Sequence, residues 1–72
     1  MTHSDFLNTI KDALELDLDI QLEDEFRHYE EWDSMTFLSL LTLMRDRYGV
    51  NLDIDTFNNI TTWSDLFNLI EE

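Results

Sequence analysis

The sequence predicts an all-α protein, a small four-helix bundle with three longer helices, one short third helix and a long loop between helices one and two. Apolar residues recur at steps of three and four in three separate segments, as in helices with one buried face. Residues suited to helix caps flank these segments. Stretches with strand-like alternation are few and short. A chain of 72 residues forms one domain, residues 1–72, with a small core.

The composition is that of a folded, acidic protein. Seventeen Asp and Glu residues against four Lys and Arg give a net charge of −13, and 43% of the residues are hydrophobic. Disordered acidic chains have few aromatic residues, whereas this one has five Phe, two Tyr and two Trp. So negative a surface repels nucleic acid and anionic membranes and attracts basic protein surfaces. We therefore expect protein partners and no nucleic-acid ligand.

The chain has no cysteine, so it offers neither a disulfide nor a thiolate metal site. Its apolar stretches are too short to span a bilayer, and its first residues lack the basic and apolar regions of a signal peptide. We expect a cytoplasmic, monomeric protein with no membrane span.

Helix one is predicted from about residue 3 to 15. Thr2 and Ser4 are candidate N-caps, and Asp5 follows Thr2 by three residues, as in a capping box. The apolar residues of this segment share one helical face: Phe6, Leu7, Ile10, Ala13 and Leu14.

Residues 14–22 alternate strictly between apolar and polar, which is the period of a half-buried strand. The other alternating stretch, residues 50–55, is shorter, and two short strands alone make a weak pair. We favour an extended loop that buries Leu18, Ile20 and Leu22 in a helical core over a strand pair.

The acid-rich segment 23–33 carries Phe26, Tyr29 and Trp32 three residues apart, which predicts a short helical or 3₁₀ turn with its aromatic rings on the core. The alternating acids from Asp17 onward resemble calcium-loop ligands. However, the sixth position lacks the required Gly and the twelfth is His28 in place of Glu. We expect no defined metal site, and only loose binding of divalent cations to the acidic surface.

Helix two is predicted from Ser34 to Tyr48 and ends at Gly49, which readily adopts the left-handed conformation of a C-cap. Its core stripe is predicted from residues at steps of three or four. These residues are Met35, Leu38, Leu41, Met44 and Tyr48.

Leu40 and Leu43 fall off that stripe. They meet either the long loop or an exposed docking partner. With Arg45 and Arg47 they form the candidate partner-docking set. The two arginines also complement the negative end of helix two.

Asp55 or Thr56 is the predicted cap of a very short third helix that holds Phe57 and Ile60. The last helix is predicted to follow directly. Its apolar face contains Trp63, Leu66, Phe67 and Ile70.

Thr62 and Asp65 form a capping-box pattern that opens this last helix. Glu71 and Glu72 lie at its negative end, where acids are unfavourable, so we expect the last turn to fray.

The junction between Asp33 and Ser34 opens helix two, and either residue can cap it. If Asp33 is the cap, the Ser34 hydroxyl is free in the first turn. Nucleophilic catalysis by Ser34 would need a base and an oxyanion hole, and His3 and His28 are the only imidazoles. We therefore expect no enzyme. A serine that another protein modifies needs only exposure and a defined backbone.

The motif Asp33-Ser34-Met35, after an acidic loop and before an apolar helix, resembles the Asp-Ser-Leu/Met modification motif of acyl carrier proteins. The resemblance covers nearly the whole chain and is weakest in residues 15–30. It continues through Leu38, Leu41 and Met44, through Tyr48-Gly49-Val50, and through Ile60-Thr61-Thr62-Trp63-Ser64-Asp65-Leu66.

This resemblance implies a discrete carrier protein. A phosphopantetheinyl transferase would attach 4'-phosphopantetheine from coenzyme A to the Ser34 hydroxyl. The thiol of the arm would then hold acyl or aminoacyl intermediates as thioesters for loading and acyl-transferring enzymes of a fatty acid, polyketide or related pathway. Trp32 and Met35 would flank the attachment point, with Asp33 as the helix cap and an aid to the metal of the transferase.

The resemblance also implies an acyl pocket between helices two and three, lined by Leu38, Leu41, Met44, Ile54, Phe57 and Ile60. Carrier proteins commonly present acids along helix two, whereas Asp46 is the only acid there, which favours dedicated partners with more apolar docking. The Trp before Asp-Ser resembles stand-alone and D-alanyl-type carriers, but the sequence does not name the cargo. The alternative is an unmodified acidic helical module that binds basic or apolar protein surfaces.

Overall fold

A computed structural model describes residues 2–71 of the chain. Its four helices are α1 (His3–Leu14), α2 (Ser34–Tyr48), α3 (Ile54–Asn59) and α4 (Trp63–Glu71), and a 3₁₀ turn spans Phe26–His28. No strand occurs between residues 2 and 71. The predicted all-α architecture, with a short third helix and a long loop between the first two helices, is confirmed.

Helix α1 begins after Thr2, whose hydroxyl oxygen accepts a hydrogen bond from the Asp5 N–H at 3.0 Å. It ends at Leu14 because Glu15 adopts a left-handed conformation with φ of 54°. The Leu16 N–H then donates to the Lys11 carbonyl at 3.0 Å, which closes the helix end. The helix is one residue shorter than predicted.

The chain between α1 and the 3₁₀ turn is the predicted extended loop and forms no strand pair. Leu16 and Ile20 are buried in the core, while Leu18 and Leu22 are partly buried against it. The Ser64 N–H donates to the Leu22 carbonyl at 2.8 Å, which fixes the loop to the first turn of α4. The alternating sequence therefore serves to bury every second side chain of a single extended segment.

The core is centred on the ring of Phe26, in the predicted 3₁₀ turn. Its centroid lies 4.6 Å from that of Trp63, 5.1 Å from that of Trp32 and 5.8 Å from that of Phe57. Phe26 and Trp63 are fully buried. This aromatic cluster joins the loop to α3 and α4.

Helix α2 buries a different face from the one predicted. Thr36, Leu40 and Met44, each four residues apart, face the core. Met35 and Leu38, predicted in the core stripe, are 70% and 54% exposed, and Leu40, predicted off the stripe, is fully buried. Both predictions were wrong because this helix is apolar on several sides, so periodicity alone does not select the buried face.

Helix α3 begins two residues earlier than its predicted caps indicated. Asp53 is the N-cap, and its Oδ1 accepts from the Thr56 N–H at 2.7 Å. The prediction of Asp55 or Thr56 was wrong because Asp53 offers the same capping chemistry two residues earlier. Phe57 lies within the helix, and Ile60 follows it as the C-cap.

Helix α4 begins at the predicted capping box. The Asp65 N–H donates to Thr62 Oγ1 at 3.2 Å, and Asp65 Oδ2 accepts from the N–H groups of Thr61 and Thr62 at 2.9 and 3.2 Å. Glu71 is the last helical residue. The predicted fraying of the last turn, with Glu71 and Glu72, stays a prediction, and Glu72 lies outside the described residues.

Candidate functional site

Asp33 is the N-cap of α2. Its backbone is extended (φ −146°, ψ −173°), and its Oδ1 accepts from the Thr36 N–H at 2.9 Å. Ser34 is therefore the first residue of the helix, and it is exposed. Of the two capping arrangements that the sequence allowed, the structure has the one that leaves the Ser34 hydroxyl free of the capping role.

The Asp33 carboxylate is also held in its charged form. Hydrogen bonds from the backbone N–H of Thr36 and then from its hydroxyl lower the pKa of Asp33 below its ordinary value of 3.8. Asp33 is thus ionised at neutral pH, and its negative charge lies at the positive end of the α2 dipole.

Thr36 is a site residue that the sequence analysis missed. Its side chain is buried, and its hydroxyl lies 3.0 Å from Asp33 Oδ1 and 3.1 Å from the Glu31 carbonyl oxygen. The single hydroxyl proton serves one of these acceptors at a time. The sequence feature that could have identified Thr36 is its position three residues after the N-cap, where capping boxes place a polar side chain.

Trp32 anchors the loop immediately before the cap. Its ring stacks on Phe57 with a centroid distance of 6.3 Å and an interplanar angle of 8°, and it also packs on Phe26. The Trp32 N–H donates to the Tyr29 carbonyl at 3.1 Å. The residue predicted to flank the serine thus fixes the backbone that leads into it.

Three large apolar side chains are exposed on α2 and α3. Met35 directly follows Ser34, Leu38 lies one turn further along α2, and Ile54 opens α3 with 59% of its surface exposed. Exposed apolar side chains close to a candidate site are typical of surfaces that bind a partner or a ligand.

The predicted docking residues are dispersed between core and surface. Leu43 is partly buried, whereas Arg45 and Arg47 are exposed. Arg45 Nε lies 3.2 Å from Asp46 Oδ1, an exposed pair that adds little stability. Leu40 is fully buried, so its prediction as a surface docking residue was wrong.

The six predicted pocket residues do not share one environment. Met44, Phe57 and Ile60 are in the core, Leu41 is partly buried, and Leu38 and Ile54 are exposed. The ring of Phe57 fills the interior beside Phe37, with centroids 4.5 Å apart. The role of the six residues as the lining of an acyl pocket stays a prediction.

Arg27 was also missed by the sequence analysis. Its guanidinium carbon lies 4.1 Å from the centre of the Phe57 ring. Nη1 donates to the Ile60 carbonyl at 2.6 Å, and Nη2 donates to the Phe57 carbonyl. Arg27 therefore donates to two carbonyls at the C-terminus of α3. The Phe57 carbonyl also accepts from the Ile60 N–H at 3.3 Å, and Ile60 is the C-cap residue.

The acidic and imidazole side chains are dispersed over the part of the chain that the structure describes. Across residues 2–71, no group of three or more His, Cys, Asp and Glu side chains is placed to hold a metal ion. His3 packs edge-on against Phe67 at 4.6 Å, and His28 is exposed at the end of the 3₁₀ turn. In the same range of residues, no helix has the length and apolar character to cross a membrane.

The fold and the site define a class: small helical proteins that present an exposed serine at the start of a capped second helix. The family model described as "Phosphopantetheine attachment site" matches residues 4–70. The chain therefore belongs to this family, consistent with the acyl carrier proteins, and is a carrier of covalently attached 4'-phosphopantetheine with no catalysis of its own. Neither the curated proteins nor the solved structures give a match.

Proposed function

We propose that Ser34 is the attachment point of the 4'-phosphopantetheine arm and that the protein carries acyl or aminoacyl groups on it as thioesters. The supporting observation is the capping of α2 by Asp33, which leaves Ser34 exposed in the first turn. A modifying enzyme needs such a hydroxyl on a well-defined backbone. The modification would take place in the cytoplasm, where coenzyme A is available.

The residues around Ser34 fit a phosphodiester-linked arm. Unpaired N–H groups and the helix dipole make the start of a helix favourable for phosphate. When bound, the arm supplies the thiol that the chain itself lacks, since the sequence has no cysteine. Trp32 and Thr36 hold the backbone on both sides of Ser34, and Met35 offers an apolar surface beside it.

We further propose that the transferase and the enzymes that load and unload the cargo dock on the exposed side of α2. Near Ser34 this side offers Met35 and Leu38, and near the helix end it offers the exposed Arg45. Arg47 is also exposed but lies on a different side of α2, beside α1. The surface of α2 thus combines apolar side chains with two positive charges on an otherwise acidic protein. Partners selected by this surface differ from those that recognise a uniformly acidic helix.

The interior between α2 and α3 is the proposed shelter for an apolar acyl chain. Phe37 and Phe57 occupy this space in the structure, so an acyl chain would enter only if their rings move apart. Met44 of α2 is fully buried in the core, and its flexible thioether suits a cavity that changes shape. Leu41 and Ile60 complete the buried part of the predicted lining.

The experiment is incubation of the purified protein with coenzyme A and a broad-specificity phosphopantetheinyl transferase, followed by intact mass measurement. We expect the wild type to gain one phosphopantetheine group. Ser34→Ala should gain none. Ser4→Ala, which removes an exposed serine of α1, should react like the wild type.

Two results would overturn the proposal. A wild-type protein that stays unmodified with several transferases would favour the unmodified interaction module. A Ser34→Ala protein that still gains the group would place the attachment elsewhere in the chain.

A further inference from the structure

An open apolar groove begins at the residue after Ser34 and follows α2 along the side that borders α1. Its volume is about 440 Å³. Asp46 provides the only charged side chain of its lining. The lining residues are Ala13 from α1 and Met35, Leu38, Ser39, Thr42, Leu43 and Asp46 from α2.

The α2 residues of the groove form a continuous stripe. Met35, Leu38, Thr42 and Asp46 follow one another at steps of three and four, which places them in line along the helix surface. The stripe is distinct from the Thr36, Leu40 and Met44 face that packs on the core. It leads away from Ser34 and lies outside the interior between α2 and α3.

Helix α1 runs antiparallel to α2 and borders the groove with one residue. This residue is Ala13, near the end of α1. Phe6, near the start of α1, packs on Tyr48 at the end of α2, with ring centroids 6.3 Å apart. The groove therefore has the same direction as both helices.

The length of the groove matches the length of a phosphopantetheine arm. From the serine oxygen to the thiol sulfur the arm has about fourteen bonds, as many as between four and five amino-acid residues, so it extends to about 16 Å. Leu43 lies about 14 Å along α2 from Ser34, at about 1.5 Å of rise per residue. An extended arm on Ser34 reaches the end of the apolar part of the groove.

The chemistry of the lining also matches the arm. The two methyl groups of the pantoyl unit need apolar surface, and Met35 and Leu38 are the apolar side chains nearest the attachment point. The arm then presents two amide groups, and the hydroxyls of Ser39 and Thr42 are hydrogen-bonding partners of the right type. Leu43 follows at the position of the thiol.

We propose that the 4'-phosphopantetheine arm rests in this groove between α1 and α2 when it carries no cargo. This inference rests on the proposed attachment at Ser34. The arm covers Met35 and Leu38, which explains why α2 exposes two large apolar side chains beside its candidate site. The core between α2 and α3 stays closed in this state, with Phe37 and Phe57 in contact.

The test is a comparison of methyl NMR spectra of the apo and phosphopantetheinylated proteins, labelled at Ala, Ile, Leu and Met methyl groups. We expect chemical-shift changes at Ala13, Leu38 and Leu43, with NOEs from the pantoyl methyl groups to Leu38. Ile54 and Ile60 should change little. Shifts confined to Met35, or centred on Ile54 and Ile60, would overturn the inference.

A second measurement uses the reactivity of the arm thiol toward a soluble disulfide reagent. Leu38→Ser removes an exposed apolar side chain of the groove, so the arm should leave the groove more often. The rate of the thiol reaction should then increase by about fourfold or more, which corresponds to the loss of one buried methylene group. Ile54→Ser removes a side chain of similar exposure on α3 and should leave the rate unchanged. A rate increase from Ile54→Ser alone would place the arm on α3.

The two proposals fail in different ways. If the wild type gains no phosphopantetheine by mass, the proposed attachment at Ser34 is wrong. If the mass increases but the groove methyl groups do not respond, the attachment stands and the resting position is wrong.

Discussion

The Asp33 carboxylate determines, as a single residue, how Ser34 is presented. It accepts from both the N–H and the hydroxyl of Thr36, and Thr36 in turn contacts the carbonyl of Glu31. These contacts fix the last residues of the loop and the first turn of α2 as one unit. Ser34 is exposed at the centre of that unit without contributing to it.

The caps predict how stability depends on pH. Asp33, Asp53 and Asp65 all have pKa values lowered below 3.8, in each case chiefly by hydrogen bonds from backbone N–H groups. A lowered pKa in the folded state gives stability that is present above about pH 4 and is lost as pH falls through the folded value. We therefore expect the urea concentration at the unfolding midpoint to decrease as the pH is lowered below about 4.

Asp33→Asn isolates the contribution of this cap, because Asn caps helices without titrating in this range. Its urea midpoint should fall less than that of the wild type between pH 5 and pH 2.5. Identical pH dependence of the two proteins would show that Asp33 is not the ionised cap described here.

At the scale of elements, α3 depends on a residue outside it. Arg27 donates to the carbonyls of Phe57 and Ile60 and covers the Phe57 ring. Arg27→Gln should reduce the free energy of unfolding by about 2 kcal/mol, since hydrogen bonds from a charged donor are lost. It should also speed amide hydrogen exchange in α3 more than in α1.

Arg45→Gln is the matched control because Arg45 is exposed and pairs only with its neighbour Asp46. Its effect on unfolding should stay within about 0.5 kcal/mol. Equal effects of the two substitutions would contradict the role of Arg27 as the cap of α3.

At the ends of α1 and α2, we predict that two substitutions change the stability of the protein in opposite directions. Both C-caps are left-handed, Glu15 with φ of 54° and Gly49 with φ of 67°. Glu15→Gly should stabilise the protein by about 1 kcal/mol, and Gly49→Ala should destabilise it by about 1 kcal/mol, because only glycine adopts this conformation freely. Thermal unfolding measures both.

Steric conflict does not explain the predicted destabilisation by Gly49→Ala, since a Cβ at Gly49 would meet no atom within 4 Å. The cost is conformational alone. A stabilising Gly49→Ala, or a destabilising Glu15→Gly, would contradict this account of the helix ends.

Local signals in the sequence predicted most of the helix ends. Thr2, Gly49 and the pair Thr62 and Asp65 each mark a helix end that the structure confirms. The start of α3 was missed because two acids with equal capping chemistry stand two positions apart.

The features that the sequence did not predict depend on contacts between distant residues. Leu40 faces the core, and Met35 and Leu38 do not, because α1 and the aromatic cluster select one side of a helix that is apolar on several. The contact of Arg27 with Ile60 joins residues far apart in sequence. Asp33 and Ser34, by contrast, lie beside each other, so the candidate site was predicted from local chemistry.

At the scale of the whole molecule, acidic repulsion opposes folding. The net charge is −13, and the ion pair of Lys11 with Asp19, at 3.7 Å, is exposed and offsets little of it. Added salt shortens the range of repulsion from about 30 Å at 0.01 M to about 3 Å at 1 M. We expect the melting temperature to rise with NaCl concentration over this range.

The matched control is the same titration at pH 4, where many carboxylates are neutral and the salt effect should be smaller. A melting temperature that falls with salt at pH 7 would show that attractive pairs outweigh the repulsion.

Whole-molecule charge, the four helices and the capped serine together support one central claim, that this carrier bears its arm on Ser34. The most direct measurement is fragmentation mass spectrometry of the protein after reaction with coenzyme A and a phosphopantetheinyl transferase. The account predicts one phosphopantetheine group per chain, located on Ser34. A group located on Ser4, Ser39 or Ser64 would contradict it, as would a chain that remains unmodified.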